Sequence, residues 1–324
     1  MELFDLLKSN IENETVRIVL PEGEEPRILQ ATKRLVKETN LIPVLIGHEN
    51  RIRTYLEIEG VEGGYEVVDP ETYPDMEELV EKFVERRAGK ITEEDARKLL
   101  KEDVNYFGVM LVFAGKVQGM VSGAVHSTAD TVRPALQIIK TQPGISRTSG
   151  AFVMVKGEER YIFADCAINI NPEAEVLAEI AVNSVSTAKM FGIEPKIAML
   201  SYSTKGSGSG PEVDKVRKAT ELAKQMRPEI AIDGELQVDA AFVPSVAELK
   251  APGSKVAGQA TVFVFPNIEA GNIGYKLTER LGGYAAIGPI LQGLNMPVND
   301  LSRGSNADDV FKLALITANQ AIAK

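Results

Sequence analysis

The sequence predicts an α/β protein of two domains. Strand-like and helix-like hydrophobic periods alternate along the chain, which is typical of α/β folds. The predicted strands are short apolar runs without alternation, as found in parallel sheets that are covered on both faces. A length of 324 residues exceeds the usual limit of a single hydrophobic core. With 44% hydrophobic and 25% charged residues, the composition is that of a folded globular protein rather than a disordered or collagen-like one.

The N-terminal part of the chain predicts a βαβ unit followed by further helices and strands. The first strand ends in Pro21-Glu22-Gly23, and the helix after it carries its apolar residues on one face. Thr92 and Asp95 have the spacing of a capping box at the start of a short helix. In order, we expect a strand at 17–20, a helix at 26–37, a strand at 41–46, helices at 74–87 and from 92, a strand at 119–123 and a helix ending near 140.

After Pro143-Gly144 the pattern changes to that of a β-hairpin, so a domain junction is expected within residues 143–149. The last helix is too short to form a domain and must pack on one of the two, with Ser305 as its N-cap and Asp308 at its third position. In order, we expect a hairpin at 151–164, a helix from Pro172 to a stop at Gly192, a strand at 197–202, a helix at 211–226, a strand at 261–265, a helix ending near 281, short strands within 284–301 and a helix at 306–323.

Charge and residue usage argue against several classes of function. The 36 basic and 46 acidic residues give a net charge of −10, which argues against a nucleic-acid binder. The single cysteine, Cys166, cannot form an internal disulfide, and two histidines far apart in sequence argue against a zinc site. There is no signal-peptide pattern and no apolar run of about 18 residues, so we expect a cytoplasmic protein without a membrane span.

A first candidate site is the glycine-rich segment at residues 202–211, which includes Ser203, Thr204, Lys205 and Ser207. It follows an apolar strand and opens a helix, where exposed amides and the helix dipole can bind an anion. The spacing fits neither a P-loop nor a dinucleotide fingerprint. Anion binding and a flexible strand-to-helix turn are both compatible with this pattern.

A second candidate is the segment at 126–134, where hydroxyl residues precede Arg133 near a helix start. A guanidinium can grip a phosphate through two parallel hydrogen bonds. The residues alone slightly favour an ordinary Ser/Thr-capped helix with an incidental arginine.

A third candidate is the segment at 298–309, in which Ser302 and Arg303 precede the acidic start of the last helix. Carboxylates in a first helical turn complement the helix dipole, which explains the acids but not Ser302 and Arg303. A hydroxyl, a guanidinium and a carboxylate so close together can serve acyl or phosphoryl transfer.

Three segments in the same order resemble the signature segments of the phosphate acetyl/butyryltransferase family. The resemblance extends over essentially the whole chain, from residue 19 to the last helix, and several long motifs make it far more specific than one pattern. The segments are VNDLSRG at 298–304, SYSTKGS at 201–207 and STADTVRPAL at 127–136.

The resemblance implies a fold, a reaction and a set of site residues. The fold would be two α/β domains with a cleft between them, as in isocitrate and isopropylmalate dehydrogenases, with domain I at 1–146 and 297–324 and domain II at 147–296. The reaction would be acetyl-CoA plus phosphate giving acetyl phosphate plus CoA, in a homodimer that needs no metal or prosthetic group. The residues implied are Ser302, Arg303 and Asp309 for catalysis, Arg87 and Arg133 for CoA, and Ser203, Thr204, Lys205 and Ser207 for phosphate or the CoA end.

The residue that matches the second CoA-binding arginine is ambiguous, because Arg86 lies directly before Arg87. Asp309 would take the thiol proton, Ser302 would position sulfur or the oxyanion, and Arg303 would bind phosphate. Cys166 ends an apolar run, so we expect a buried, inert thiol and direct transfer in a ternary complex without an acyl-cysteine.

Three other readings of the sequence stay open. A phosphate butyryltransferase differs only by one or two methylenes in its acyl pocket, worth about 1–3 kcal/mol. A metal-dependent hydroxyacid dehydrogenase of similar architecture would need an aspartate cluster and a nucleotide loop, and neither is present in matching form. A non-catalytic domain that senses acetyl-CoA is disfavoured because Ser302, Arg303 and Asp309 are present together.

Overall fold

A computed structural model describes residues 3–323 of the chain. By its internal contacts the chain divides into two units: one runs up to Gln142 and resumes at Leu294, and the other is Pro143–Gly293. The sequence predicts these boundaries at 146/147 and 296/297. Each unit contains one β-sheet with helices, so the α/β class is confirmed. No helix among the described residues has the length and apolarity that a membrane span needs.

The first part of the chain alternates short strands with helices and contains two elements before the first predicted helix. In order, the elements are α1 (Leu3–Asn10), β1 (Arg17–Leu20), α2 (Pro26–Glu38), β2 (Ile42–Ile46), α3 (Glu49–Ile58), β3 (Glu66–Val68), α4 (Met76–Arg87), α5 (Glu93–Glu102), α6 (Val104–Phe113), β4 (Gly119–Ser122) and α7 (Thr128–Ile138). Thr92 caps α5 as predicted, because its side chain accepts a hydrogen bond from the amide of Asp95.

The second part begins with the predicted hairpin and ends with the predicted long helix. In order, the elements are β5 (Ser149–Lys156), β6 (Glu159–Ala164), α8 (Ala174–Met190), β7 (Lys196–Leu200), α9 (Pro211–Met226), β8 (Ala231–Leu236), α10 (Val238–Phe242), α11 (Pro244–Lys250), β9 (Val262–Val264), α12 (Ile268–Arg280), β10 (Ala285–Gln292), β11 (Val298–Asp300) and α13 (Ala307–Ile322). Gly192, at a left-handed φ of 68°, follows the end of α8 and stops it as predicted.

The sheet of the first unit has five strands in the order β11-β4-β1-β2-β3, and every neighbouring pair is parallel. Ile18, Val19 and Leu20 of β1 are fully buried, as expected for a strand covered on both faces. The strand β11 lies at one edge beside β4, and α13 after it packs against α2 and β4. As a result, the carboxyl ends of β1, β4 and β11 lie side by side.

The sheet of the second unit is mixed. Its six strands follow the order β10-β5-β6-β9-β7-β8, in which β5 is antiparallel to both neighbours and the other pairs are parallel. Gly157, with a φ of 59°, makes the turn of the hairpin between β5 and β6. The aromatic rings of Tyr161, Phe163 and Phe263 pack together on one face of this sheet.

Several elements escaped prediction, and α6 shows why. It is apolar on all sides and almost entirely buried, so the sequence contains no polar face from which a helical period could be read. In β8 the apolar run is interrupted by Asp233, Gly234 and Glu235.

Truncation of a side chain in α6 tests this burial. Phe107 is fully buried and meets the ring of Tyr73 edge-on, at 5.3 Å between centroids. We expect Phe107→Ala to lower the free energy of unfolding by about 3–5 kcal/mol, because it leaves a cavity. Urea unfolding followed by circular dichroism measures the change. The control Ile58→Ala, at a site 79% exposed, should stay within about 0.5 kcal/mol of wild type, and equal stabilities of the two variants would contradict the packing.

Candidate active site

The candidate site lies in the first unit, at the carboxyl ends of the adjacent parallel strands β1, β4 and β11. Ligands of open α/β sheets bind at this edge, because the loops that leave the strands present their backbone and side chains there. The loops concerned are 21–25 after β1, 123–127 after β4 and 301–306 after β11.

Glu22 fixes the loop after β4. Its carboxylate is buried and accepts hydrogen bonds from four successive backbone amides as well as from one imidazole nitrogen. The donors are the amides of Gly123 at 3.1 Å, Ala124 at 2.7 Å, Val125 at 2.8 Å and His126 at 2.9 Å, and Nδ1 of His126 at 2.7 Å. A buried carboxylate with this many donors is well compensated for its lost hydration.

Arg27, in the first turn of α2, connects the loop after β4 with the loop after β11. Its Nη1 donates to the carbonyl oxygens of Arg303 and Ser305, each at 2.8 Å, and its Nη2 donates to the carbonyl oxygen of Ala124 at 2.8 Å. Its Nε donates to Oε1 of Glu25 at 2.6 Å. One guanidinium therefore binds three backbone carbonyls on two loops.

Asp300, the last residue of β11, is a second buried carboxylate. Its Oδ2 accepts a 2.6 Å hydrogen bond from the hydroxyl of Thr128, at the start of α7. Its Oδ1 is buried and has no hydrogen-bond partner among residues 3–323. Burial raises the pKa of Asp300 to about 6; the hydroxyls of Thr128 and Thr131 act against this rise, and the negative charge of Glu22 adds to it.

Ser302 and Arg303 are exposed on the loop that Arg27 holds. The amide of Ser305 donates to the carbonyl oxygen of Ser302 at 2.8 Å, and the amide of Gly304 donates to the Ser302 hydroxyl at 3.2 Å. The guanidinium of Arg303 has no hydrogen bond or ion pair with any residue that the structure describes. The backbone of this loop is thus fixed while the Arg303 side chain is available to a ligand.

Asp309 lies at the third position of α13, and here one prediction is wrong. The N-cap is Asn306 rather than Ser305, because Oδ1 of Asn306 accepts from the amides of Asp308 and Asp309 at 2.8 and 3.0 Å. Asp309 completes the capping box through its Oδ2, which accepts from the amide of Asn306 at 2.9 Å. Its Oδ1 has no hydrogen bond to the described part of the chain, whereas Asp308 binds Arg34 and Lys312.

Arg133 and Arg87 lie near one side chain. Arg133 is exposed in the second turn of α7, and Arg87 is the last residue of α4. Burial and the negative charge of Asp103 raise the pKa of Tyr106, whereas the positive charges of Arg133 and Arg87 act against this rise. Neither guanidinium has a hydrogen bond or ion pair with another described residue.

Arg86 is occupied by the protein itself. Its Nε donates to the carbonyl oxygen of Ile138 at 2.5 Å and its Nη2 to that of Ile139 at 3.2 Å, at the end of α7. Its guanidinium also lies 5.1 Å from the centroid of the Phe113 ring. Because Arg86 is engaged and Arg87 is not, the geometry favours Arg87 for a ligand; that assignment stays a prediction.

The predicted residues of the second unit, in the turn between β7 and α9, bind one another and the strand β8. Lys205, at a left-handed φ of 48°, donates from Nζ to Oδ1 of Asp233 at 2.6 Å and to the carbonyl oxygen of Gly234 at 3.0 Å. The Ser203 hydroxyl donates to Oε1 of Glu235 at 2.9 Å. A ligand that uses Lys205 must compete with Asp233, so the role predicted for it remains untested.

The other two hydroxyls of this turn are also engaged. The Thr204 hydroxyl donates to Oε1 of Gln237 at 3.2 Å, and the Ser207 hydroxyl accepts from the Thr204 amide at 2.9 Å. Glu235 is bound by Arg217 at 3.0 Å. Burial raises the pKa of Glu235, but its hydrogen bonds, led by that of Arg217, outweigh this and lower the value to about 2.

The thiol of Cys166 is fully buried, as predicted. Burial, together with the negative charge of Asp165, raises its pKa well above the usual value. A thiol in such surroundings is a poor nucleophile.

Sequence reasoning missed Glu22, Arg27 and Asp300 as parts of the site. The sequence does contain a signal for Glu22, because Pro21-Glu22-Gly23 places a carboxylate directly after a buried strand. Asp300 stands in the segment already singled out, two residues before Ser302. Nothing local distinguishes Arg27 from other helix arginines, because its partners are up to 278 residues away.

The raised pKa of Asp300 predicts a pH-dependent difference in stability. Between the ordinary carboxyl pKa of 3.8 and about 6 the native state binds a proton that the unfolded state has lost. Ionised Asp300 therefore lowers the stability as pH rises through this window. We expect Asp300→Asn, which cannot ionise, to gain on the order of 3 kcal/mol over wild type between pH 4 and pH 7.

Urea unfolding of both proteins across this pH range measures the difference. Burial raises the pKa of Asp308, but its hydrogen bonds to Lys312 and Arg34 outweigh this and lower the value below 3.8. The matched control Asp308→Asn should therefore keep a nearly constant difference from wild type across this range, because this group titrates below it. A constant difference between Asp300→Asn and wild type at every pH would contradict the raised pKa.

Comparison with known proteins places the chain in one family. The sequence profile described as phosphate acetyl/butaryl transferase matches residues 2–318. The chain is 59% identical to the phosphate acetyltransferase of Bacillus subtilis (strain 168), over 99% of both chains. It is similar to the crystal structure of a phosphotransacetylase from Streptococcus pyogenes (59% identity, TM-score 0.96, 100% of both chains) and to a phosphotransacetylase from Staphylococcus aureus (55% identity, TM-score 0.95, 99% of this chain and 98% of that one). The chain therefore belongs to the phosphate acetyl/butaryl transferase family.

Proposed function

We propose that the chain is a phosphate acetyltransferase, which interconverts acetyl-CoA plus phosphate with acetyl phosphate plus CoA. Full-length relatives at 55–59% identity bear that name. The observation that carries the proposal is the loop after β11, which presents the free guanidinium of Arg303 and the hydroxyl of Ser302 from a fixed backbone, directly before the helix of Asp309. The enzyme works in the cytoplasm as a homodimer and uses no metal or prosthetic group.

The transfer is direct, in a ternary complex. With CoA and acetyl phosphate bound, Asp309 accepts the thiol proton, and the sulfur forms a bond to the acetyl carbonyl carbon. The bond between that carbon and the phosphate oxygen breaks, and phosphate leaves with its electron pair. The buried, weakly nucleophilic thiol of Cys166 supports a route without an acyl-cysteine.

Proton transfer to Asp309 requires help. A free thiol and a free aspartate differ by about 4.6 pKa units, which is about 6 kcal/mol against the transfer. Oδ1 of Asp309 has no partner in the described chain, so it is available to receive the proton. Arg303 lowers this free-energy cost by stabilising the thiolate and the charge on the leaving phosphate. Ser302 orients the sulfur or the oxyanion.

Arg133 and Arg87 bind the phosphate groups of CoA. Both lack protein partners among the described residues, and both lie near Tyr106. Guanidinium groups suit phosphate because they pair with it through two parallel hydrogen bonds and keep their charge at all relevant pH values. The turn with Ser203, Thr204, Lys205 and Ser207 binds phosphate or the far end of CoA, with Lys205 leaving Asp233 to do so.

Release of free thiol from acetyl-CoA, dependent on phosphate, tests the function and the roles at the loop. We expect Arg303→Gln and Ser302→Ala each to lower kcat by about 10²–10³-fold, because each removes a donor that acts on developing charge. Arg53→Gln is the matched control, as Arg53 pairs with Glu49 and lies over the ring of Tyr65, away from the loop after β11. Full turnover by Arg303→Gln would overturn the assignment, and butyryl-CoA in the same assay measures the acyl-chain preference.

A pair of neighbouring variants distinguishes the two arginines of α4. We expect Arg87→Gln to raise KM for CoA by about tenfold or more, the equivalent of about 1.4 kcal/mol of lost binding. Arg86→Gln should leave KM unchanged and lower the melting temperature, because two carbonyls at the end of α7 lose their donor. The reverse result would assign the CoA contact to Arg86.

A further inference from the structure

We propose that Arg27 is a positioning residue of the acyl-transfer site: its guanidinium sets the backbone conformation from which Ser302 and Arg303 meet the substrates. The inference rests on the proposed function for the meaning of that loop. In this role Arg27 acts on the loop backbone and not on a substrate. The hydrogen bonds of its side chain support the role.

Arg27 restrains the conformation of the loop after β11. Nη1 of Arg27 donates to the carbonyl oxygens of Arg303 and Ser305, each at 2.8 Å, and these two residues flank Gly304. Two carbonyls that converge on one nitrogen restrict the backbone torsions between them. Since Gly304 has the widest conformational freedom of any residue type, the loop needs such a restraint to present Arg303 in one direction.

Arg27 also binds the loop after the neighbouring strand, β4. Nη2 of Arg27 donates to the carbonyl oxygen of Ala124 at 2.8 Å, while the amide of Ala124 donates to Glu22 at 2.7 Å. Ala124 is therefore held on both sides, by Glu22 of the loop after β1 and by Arg27 at the start of α2. Through Arg27, the loop after β11 takes its position from the loop after β4.

Arg27 has too few free donors to bind a substrate directly. Four of the five N–H groups of a guanidinium are used here, on three carbonyls and on Oε1 of Glu25. Glu25 also balances the charge of Arg27, at 2.6 Å. A phosphate that approached Arg27 would have to replace these partners, whereas Arg303 offers a free fork.

An arginine suits this position better than a lysine. The planar fork places donors toward two loops and toward Glu25 at the same time, and a lysine ammonium is a single point with three donors on a flexible stem. Arg303 is exposed and Ser305 is only half-buried, so water can replace Arg27 as the donor to their carbonyl oxygens. Loss of Arg27 should therefore free the loop without unfolding the protein.

Two measurements on the intact protein test the proposal. In the thiol-release assay, we expect Arg27→Ala and Arg27→Lys to lower kcat by about 10–100-fold, as expected for a catalytic group displaced by about 1 Å. KM for CoA should change much less than kcat, because Arg87 and Arg133 lie on α4 and α7, to which Arg27 donates no hydrogen bond. Guanidinium chloride at a non-denaturing concentration should restore part of kcat to Arg27→Ala and none to Arg27→Lys, whose side chain occupies the space.

Hydrogen–deuterium exchange of the segment 301–306 supplies a readout that does not depend on activity. We expect these amides to exchange faster in Arg27→Ala than in wild type, with no change in the control Arg53→Ala. Unchanged exchange, or unchanged kcat in an active enzyme, would overturn the inference. A wild-type protein without thiol release would refute the proposed function instead, while the exchange result would still decide whether Arg27 holds the loop.

Discussion

The arrangement of the candidate site depends on the carboxylate of Glu22. It is buried, and it accepts four consecutive amides of the loop after β4 and one nitrogen of His126. A buried charge is tolerated only where donors replace its hydration shell, so the loop must wrap around the carboxylate for the fold to form. That wrapping points the carbonyl of Ala124 at Arg27, which in turn holds the loop of Ser302 and Arg303.

Glu22 and Asp300 are both buried carboxylates, but they differ in the number of hydrogen bonds that they accept. Glu22 has five donors, whereas Asp300 has the hydroxyl of Thr128 and one oxygen without a partner in the described chain. Gly123 lies so close to that oxygen that a Cβ added to it would be 2.5 Å from Oδ1, so no other residue fits at position 123 without a shift. Burial next to the charge of Glu22 is what makes protonation of Asp300 favourable near pH 6.

Local physics explains which parts of the molecule could be predicted from the sequence. The strand β1, the hairpin of β5 and β6, and the helix α9 are encoded in periods and turns within a few residues, and all three were predicted. The helix α6 has no polar face, so its sequence does not show the alternation of apolar and polar residues from which a helix is predicted. The site was predicted only where its residues are adjacent in sequence: the bonds of Glu22 and Arg27 span about 100 and about 277 residues, and they exist only after the sheet has formed.

The arginines of this chain fall into two groups: those whose side chains bind other parts of the protein, and those whose side chains are available to ligands. A guanidinium that already binds protein carbonyls, as in Arg27 or Arg86, has fewer donors left for a phosphate. Among residues 3–323 the side chains of four arginines have no hydrogen bond, ion pair or ring contact: Arg87, Arg133, Arg147 and Arg303. Three of these four are residues that the sequence motifs pointed to. In a chain with a net charge of −10, anionic substrates are repelled from most of the surface, and unpaired guanidinium groups at the sheet edge and beside Tyr106 provide local attraction.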